Sequence, residues 1–291
     1  MFGPNVKTDE RGIYYHHREG MFHSILESLE NVLANKFGLE EYEFVFLTGS
    51  GTTANETVIF SFRQRFTFLF TDADFGQRLV NISEAHNKRL PVVSQIAYPL
   101  YETSISRLNI VEDLGTTDAL VFLDMVSAFP YYLPPKGTAI WTTVSGKQLG
   151  AYPVLGIIGI HKELDLGDYV INSHGSCLNL LSHLWYRKQH ETNTTPAIPL
   201  YYDLLQQLLH FDRGALVKKI NTRRKKIVHL IGIDNVMGVG PVVTFKPNDK
   251  LVPIAVDFNL YKSKAGFQVF LWSGTDEEYE AFYRALERIK I

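Results

Sequence analysis

A single cysteine, Cys177, stands in a chain of 291 residues. That excludes an internal disulfide and any multi-cysteine metal site, and Cys177 itself reads as a small buried residue. No apolar run approaches the roughly 18 residues of a membrane span. The opening segment MFGPNVKTDERG lacks the apolar core of a secretory leader, so the expectation is a soluble, cytoplasmic protein. Neither sign of charge dominates: 29 Lys and Arg face 31 Asp and Glu. This rules out a chain-wide basic surface for nucleic acid and leaves room only for a local patch. Repeats and low-complexity tracts are missing too. With 45% hydrophobic and 21% charged residues, the chain has the composition of one that buries a core.

What is present reads as strands alternating with helices. Residues 21–36 place Phe22, Ile25, Leu26, Leu29, Val32 and Leu33 at helical spacing. Six short apolar runs follow as strand candidates, at 43–47, 66–70, 90–98, 119–124, 139–144 and 154–160. A helical stretch over 54–65 separates the first two. Several runs are continuous rather than alternating, which points to a sheet buried on both faces and an α/β fold. Helices are expected over 198–210 and 215–231, a strand pair at 242–247 and 267–272, and a closing helix over 275–289. The natural partition is a large domain, 14–212, and a small α+β domain, 213–291, joined by the N-terminal segment 1–13.

The first strand runs into Thr48-Gly49-Ser50-Gly51-Thr52-Thr53, and a helix follows. Strand, glycine turn and helix start gather backbone N–H groups at one point, which suits a phosphate. A Walker loop is excluded, because Gly51 is not followed by Lys-Ser/Thr. A dinucleotide loop fits better: Gly49, Gly51 and Ala54 match G-x-G-x-x-A, and Asp72 follows about 20 positions later, where a ribose ligand belongs. A pyridoxal-phosphate site is the third reading. It needs a phosphate cradle, a carboxylate facing the ring nitrogen, a lysine and a stacking aromatic. Asp124 ends an apolar strand, where an unpaired carboxylate is costly, and Lys147 follows the next strand. Bland alternatives exist: a surface lysine, a helix cap or metal ligand at Asp124, a core ring at Phe75.

Six motifs in order, over about residues 15–200, resemble the class V aminotransferases, fold-type I pyridoxal-phosphate enzymes that include alanine–glyoxylate, serine–pyruvate and 2-aminoethylphosphonate transaminases. They are Arg18 and Phe22 in an early helix, Gly49-Ser50-Gly51-Thr52-Thr53-Ala54-Asn55-Glu56, Phe75-Gly76-Gln77-Arg78, Glu102-Thr103-Ser104, Asp124-Met125-Val126-Ser127 and Ser145-Gly146-Lys147-Gln148-Leu149. Thr194-Thr195-Pro196 is similar to a segment that touches the partner subunit's phosphate. The resemblance implies a large domain with a mostly parallel seven-stranded sheet between helices, and a homodimer with shared active sites. It also implies that Lys147 forms the Schiff base and Asp124 holds the ring nitrogen. Ser50, Gly51, Thr52 and Ser145 would take the phosphate, with Thr194 from across the interface. Phe75 and Val126 would line the ring, and Thr103 would lie near its hydroxyl. No metal is expected.

The chain also departs from that pattern. The family's carboxylate-binding arginine aligns with Gln268, which removes a bidentate, charge-assisted contact. Arg78 or Arg18 could take its place. Three readings therefore stand: an aminotransferase; a pyridoxal-phosphate enzyme that decarboxylates, isomerises or cleaves an adduct on a larger anionic substrate; and a nicotinamide-dependent oxidoreductase. The run Lys218, Lys219, Arg223, Arg224, Lys225 and Lys226 places six cations in nine residues. It is either a solvated helix face or a seat for an anionic polymer, for example DNA carrying a modified base. His174, on a polar loop, is either a site residue or a plain loop histidine.

Overall fold

The apolar stripe of the first helix is the first feature to find its partner. The computed structural model describes residues 20–112, 119–170 and 176–289. Helix α1 (Gly20–Phe37) buries Phe22, Ile25, Leu26, Leu29, Leu33 and Phe37. Next come β1 (Tyr42–Thr48), α2 (Gly51–Ser61), β2 (Arg65–Phe68), α3 (Asp74–Asn87) and β3 (Val92–Pro99). A short ribbon, β4 (Tyr101–Glu102) and β5 (Arg107–Leu108), precedes β6 (Val121–Asp124), β7 (Ile140–Val144) and β8 (Leu155–His161). Helices α4 (Leu180–Arg187), α5 (Ile198–His210) and α6 (Arg213–Ile231) lead to β9 (Val236–Met237), β10 (Val242–Phe245) and α7 (Val252–Asp257). The chain closes with β11 (Tyr261–Lys262), β12 (Phe267–Phe270) and α8 (Asp276–Arg288).

The main sheet has the order β1-β8-β7-β6-β3-β2. Strands β2, β3, β6 and β7 are mutually parallel, and β8 runs against both its neighbours. Two reversals leave β1 pointing the same way as β7. These six strands among the described residues are the six apolar runs of the sequence, one fewer than the seven implied by the resemblance. Successive residues serve opposite faces. Leu123, Trp141 and Ile157 pack with Leu29, Tyr98 and Tyr201, whereas Phe122, Ile140 and Ile158 pack with Val58, Ile59 and Phe62. Helix α2 stops at Ser61, short of the expected 65, because Phe62 is extended (φ −79°, ψ 139°) and packs its ring 4.8 Å from Phe66.

A second sheet, β11-β12-β10-β9, is antiparallel throughout. Ile220, Ile227, Val243, Val269, Phe282 and Leu286 build its own core under α6 and α8. Among the described residues no helix is long and apolar enough to cross a membrane.

The topology matters for one reason. Strands β1, β6 and β7 all end at the same edge of the main sheet. The loops carrying Gly49–Thr53, Asp124–Ser127 and Ser145–Lys147 therefore meet there, at the carboxyl ends where α/β sheets bind ligands.

Candidate active site

The start of α2 is a built anion cradle. Ser50 caps the helix: its Oγ accepts the Thr53 N–H at 3.2 Å, and Thr53 Oγ1 accepts the Ser50 N–H at 3.1 Å. The N–H groups of Gly51 and Thr52, in the first turn, have no acceptor within the helix. Gly51 lies flush against the next strand loop, since a Cβ there would come within 2.4 Å of Val126 Cγ2.

Asp124 is fixed by two donors. Its Oδ1 accepts the Val126 N–H at 2.9 Å and its Oδ2 accepts the Asn55 side-chain amide at 2.8 Å. Asn55 in turn accepts from the Thr142 hydroxyl. Burial pushes the Asp124 carboxyl above the usual carboxylate range, and the two donors and the charges of Lys147 and Arg78 oppose the shift.

Lys147 lies beyond the end of β7. Its Nζ donates to Ser127 Oγ at 2.6 Å and sits 5.5 Å from the centre of the Phe75 ring. Burial lowers the ammonium to about 8 from 10.5; the nearby Asp124 charge works the other way. The Arg78 guanidinium lies over the same ring at 4.9 Å and donates to Thr52 Oγ1 at 3.4 Å. One aromatic ring in the cavity wall thus has two cations near its centre.

A cavity of about 210 Å³ opens here, walled by Phe75, Arg78, Thr103, Lys147, Gln268 and Trp272, among others. Glu102 organises its rim. Fully buried, its carboxylate accepts the N–H groups of Phe75 and Gly76 at 3.1 Å each, and both the N–H and the hydroxyl of Ser104. Because Ala73, at the N-cap of α3, offers no side-chain cap, Glu102 does that work from another element. Gln268 reaches in from β12 and donates to Thr103 O at 2.7 Å and to Thr244 Oγ1 at 2.9 Å.

The structure places Phe75, Arg78, Thr103, Lys147 and Gln268 in the cavity wall, and Ser50, Gly51, Thr52, Asp124 and Val126 outside that wall at the adjoining sheet edge. Ser145 is also near, but its hydroxyl donates to Tyr152 O and accepts the Leu155 N–H. It closes a turn and is not free for a phosphate. Thr194 is exposed and outside the cavity wall, with its carbonyl accepting from Thr192. Arg18 and His174 lie outside the described residues. Cys177 is exposed, not buried.

The dinucleotide reading loses its geometry. Asp72, the expected ribose ligand, is paired with Arg107 at 2.6 Å. Moreover β1 is an edge strand whose neighbour is antiparallel, whereas a dinucleotide loop follows a parallel strand at a switch point. The basic run is held by its own domain. Arg223, 4% exposed, donates to the carbonyls of Leu271, Ser273 and Gly274 and to Asp276. Arg224 donates to Gly238 O, Lys219 to Trp272 O, and Lys226 to Glu280. Lys218 and Lys225 are exposed.

Three contributors carry no role in the sequence reading: Asn55, Ser127 and Glu102. Each stands inside a motif quoted above, but its partner is distant in sequence. Trp272 had no signal beyond ending the expected strand 267–272, and the structure places it just past β12.

No family model matches the chain, and no curated protein matches it in sequence. Solved structures do match. An aspartate aminotransferase of subgroup IV from Thermus thermophilus superposes with a TM-score of 0.80 at 18% identity, over 99% of this chain and 98% of that one. A phosphoserine aminotransferase from Cytophaga hutchinsonii gives 0.76 at 18% identity, over 96% and 92%. A phosphoserine aminotransferase from Trichomonas vaginalis, solved with pyridoxal phosphate bound, gives 0.73 at 13% identity, over 94% and 90%. The chain has the fold of these aminotransferases.

Proposed function

We propose that the chain is a pyridoxal-phosphate-dependent enzyme of the aminotransferase type, acting on an amino-group substrate through Lys147. The observation that supports this is a single convergence. A largely buried lysine and an aromatic plate wall one cavity; a buried carboxylate at a strand end acts on that lysine, and Arg78 links the cavity wall to an open helix N-terminus at Thr52.

The residues fit the cofactor group by group. The Gly51 and Thr52 N–H groups and the Ser50 hydroxyl suit the phosphate. Phe75 offers a face to the ring. Asp124 keeps acceptor capacity beyond its two donors, enough to hold a protonated ring nitrogen. Thr103 Oγ1 is buried without a partner, which suits a ring hydroxyl. When bound, the cofactor supplies an electron sink for charge developing on the substrate carbon beside the amine.

The rest falls to the chain. Burial holds Lys147 near 8, so its free amine can take a proton from that carbon and return it nearby. Ser127 fixes the position of the amine at 2.6 Å. Asp124, anchored by Asn55 and Val126, holds its charge where the ring nitrogen needs it without reorganising. Thr194 completes the phosphate site from the second subunit of a homodimer. Amino acids paired with keto acids are the substrate class of this reading.

The test is spectroscopic. The chain with pyridoxal phosphate should show a visible band, and borohydride reduction should attach the cofactor to Lys147. Lys147→Ala should lose the covalent adduct and keep weaker, reversible binding. Labelling at another lysine, or no band, would overturn the reading.

A further inference from the structure

Two consecutive residues reach back to one serine in the loop after β6. Lys147 Nζ donates to the Ser127 hydroxyl at 2.6 Å, and Gln148 Nε2 donates to the Ser127 carbonyl at 2.7 Å. The other end of the Gln148 amide accepts the Tyr131 N–H at 3.1 Å. Its orientation is thereby settled, since exchanging the amide atoms would set N–H against N–H and oxygen against carbonyl. Gln148 and Ser127 are both buried, so these bonds are shielded from water.

Gln148 thus spans the loop from residue 127 to residue 131. Helix α6 grips the far end: Arg213 donates to Pro130 O at 2.8 Å and to Tyr131 O at 3.0 Å. Held at both ends, the loop presents the Ser127 hydroxyl to Nζ in a fixed place. The choice of a hydroxyl matters. A carbonyl or carboxylate only accepts, so it would hold an ammonium and let go of a neutral amine. A hydroxyl both accepts and donates. It accepts from the Lys147 ammonium, and it can turn and donate to the nitrogen lone pair once the amine is neutral. Among the described residues the Ser127 hydroxyl has no second partner to oppose that turn.

We infer that Ser127 and Gln148 are positioning residues for the Lys147 amine: Gln148 fixes the 127–131 loop, and the Ser127 hydroxyl keeps hold of Nζ in both of its protonation states. The inference rests on the proposed cofactor reading, since a lysine that takes a proton and returns it must stay in place between the two events. Three other charges act on the amine. Asp124 and Glu102 favour its ammonium form, and Arg78 opposes it. All three remain in the variants that follow, so a change in its titration reports the hydroxyl.

The test uses the full-length chain without cofactor. It is trace-labelled with acetic anhydride at a series of pH values, and the Lys147 peptide is followed by mass spectrometry. Labelling needs the neutral amine, so the midpoint is the titration of Lys147, expected at about 8. Ser127→Ala should lower it by about one pH unit, the difference between a hydrogen bond to a charged and to a neutral amine. Gln148→Met should lower it by about half a unit while Ser127 is present, and leave it unmoved in the Ser127→Ala background, because it acts through that serine. If Gln148→Met does not fold, Gln148→Glu, which keeps the acceptor for Tyr131, takes its place. Its added charge acts alike in both backgrounds, so its shifts should still differ between them. An unmoved midpoint in Ser127→Ala, or equal shifts from the Gln148 variant in the two backgrounds, would overturn the inference and leave the cofactor reading intact. Absence of a visible band from the loaded chain would instead overturn the cofactor reading, and the purpose of this pair with it.

Discussion

The Glu102 carboxylate accepts the main-chain N–H of Phe75 at 3.1 Å, across two elements 27 positions apart in sequence. The same carboxylate holds Gly76 and Ser104. It therefore ties the plate over which Lys147 sits to the loop bearing Thr103. Its position at the start of α3 is also favourable for a negative charge.

Glu102→Gln keeps the shape but turns one acceptor into a donor. Either the α3 N–H groups or those of Ser104 then face an NH₂. We expect a loss of about 1–3 kcal/mol in stability, read by urea unfolding, and weaker pyridoxal phosphate binding as Phe75 loosens. Unchanged stability would show that Glu102 does not anchor the plate.

Lys147 makes the stability of the cofactor-free chain depend on pH. Its ammonium titrates near 10.5 when unfolded and near 8 when folded. Between those values the unfolded chain binds more protons, so this contribution to stability rises with pH through the window. At about 1.4 kcal/mol per unit, the change is on the order of 3 kcal/mol. The buried tyrosines Tyr42 and Tyr201 are pushed upward and act in the opposite sense above 10. The measurement is therefore the difference between the unmodified chain and Lys147→Met, followed by urea unfolding from pH 7 to 10. A flat difference would mean that Lys147 is not buried as a cation.

The sequence showed the six strands of the main sheet because each is a short apolar run between breakers. It placed Asp124 at a strand end and Lys147 in the loop after the next strand because each run has a clear end. It could not show that Ser145 closes a turn with Tyr152, since that bond depends on the path of the following loop. The basic run was open to two readings for a related reason. Charge density is visible in sequence, but the three carbonyls that engage Arg223 come from residues 271–274, placed under α6 only by the tertiary fold. Short elements such as β9 and β11, two residues each, carry no periodicity to read.

Gly51 and Val126 form a steric pair that can be tested by exchange. Gly51→Ala drives a Cβ to 2.4 Å from Val126 Cγ2, and something must move. Overpacking of this kind costs about 1–3 kcal/mol. Here it should also displace the first N–H groups of α2 and weaken binding of pyridoxal phosphate. Adding Val126→Ala should recover much of the lost stability, a favourable coupling between neighbours. Additive losses in the double variant would show that the two side chains do not meet.

Arg223 offers the sharpest contrast between charge as seen in sequence and charge as used in the fold. Its guanidinium lies 3.7 Å from the centre of the Tyr279 ring and donates to Ser273 O at 2.7 Å and Asp276 Oδ1 at 2.8 Å. Arg223→Ala would leave three carbonyls without this donor and open space beneath α8. The expected loss is about 1–3 kcal/mol, the range for leaving buried acceptors without their donor, since the Asp276 carboxylate itself is largely exposed. Arg223→Lys should recover little, because an ammonium cannot span the fork of acceptors. Lys225→Ala and Lys218→Ala, both on the exposed face of α6, should stay within about 0.5 kcal/mol. Urea unfolding of the four variants checks the set. If Arg223→Ala were as stable as Lys225→Ala, the contacts from residues 271–276 would not hold the Arg223 guanidinium in place.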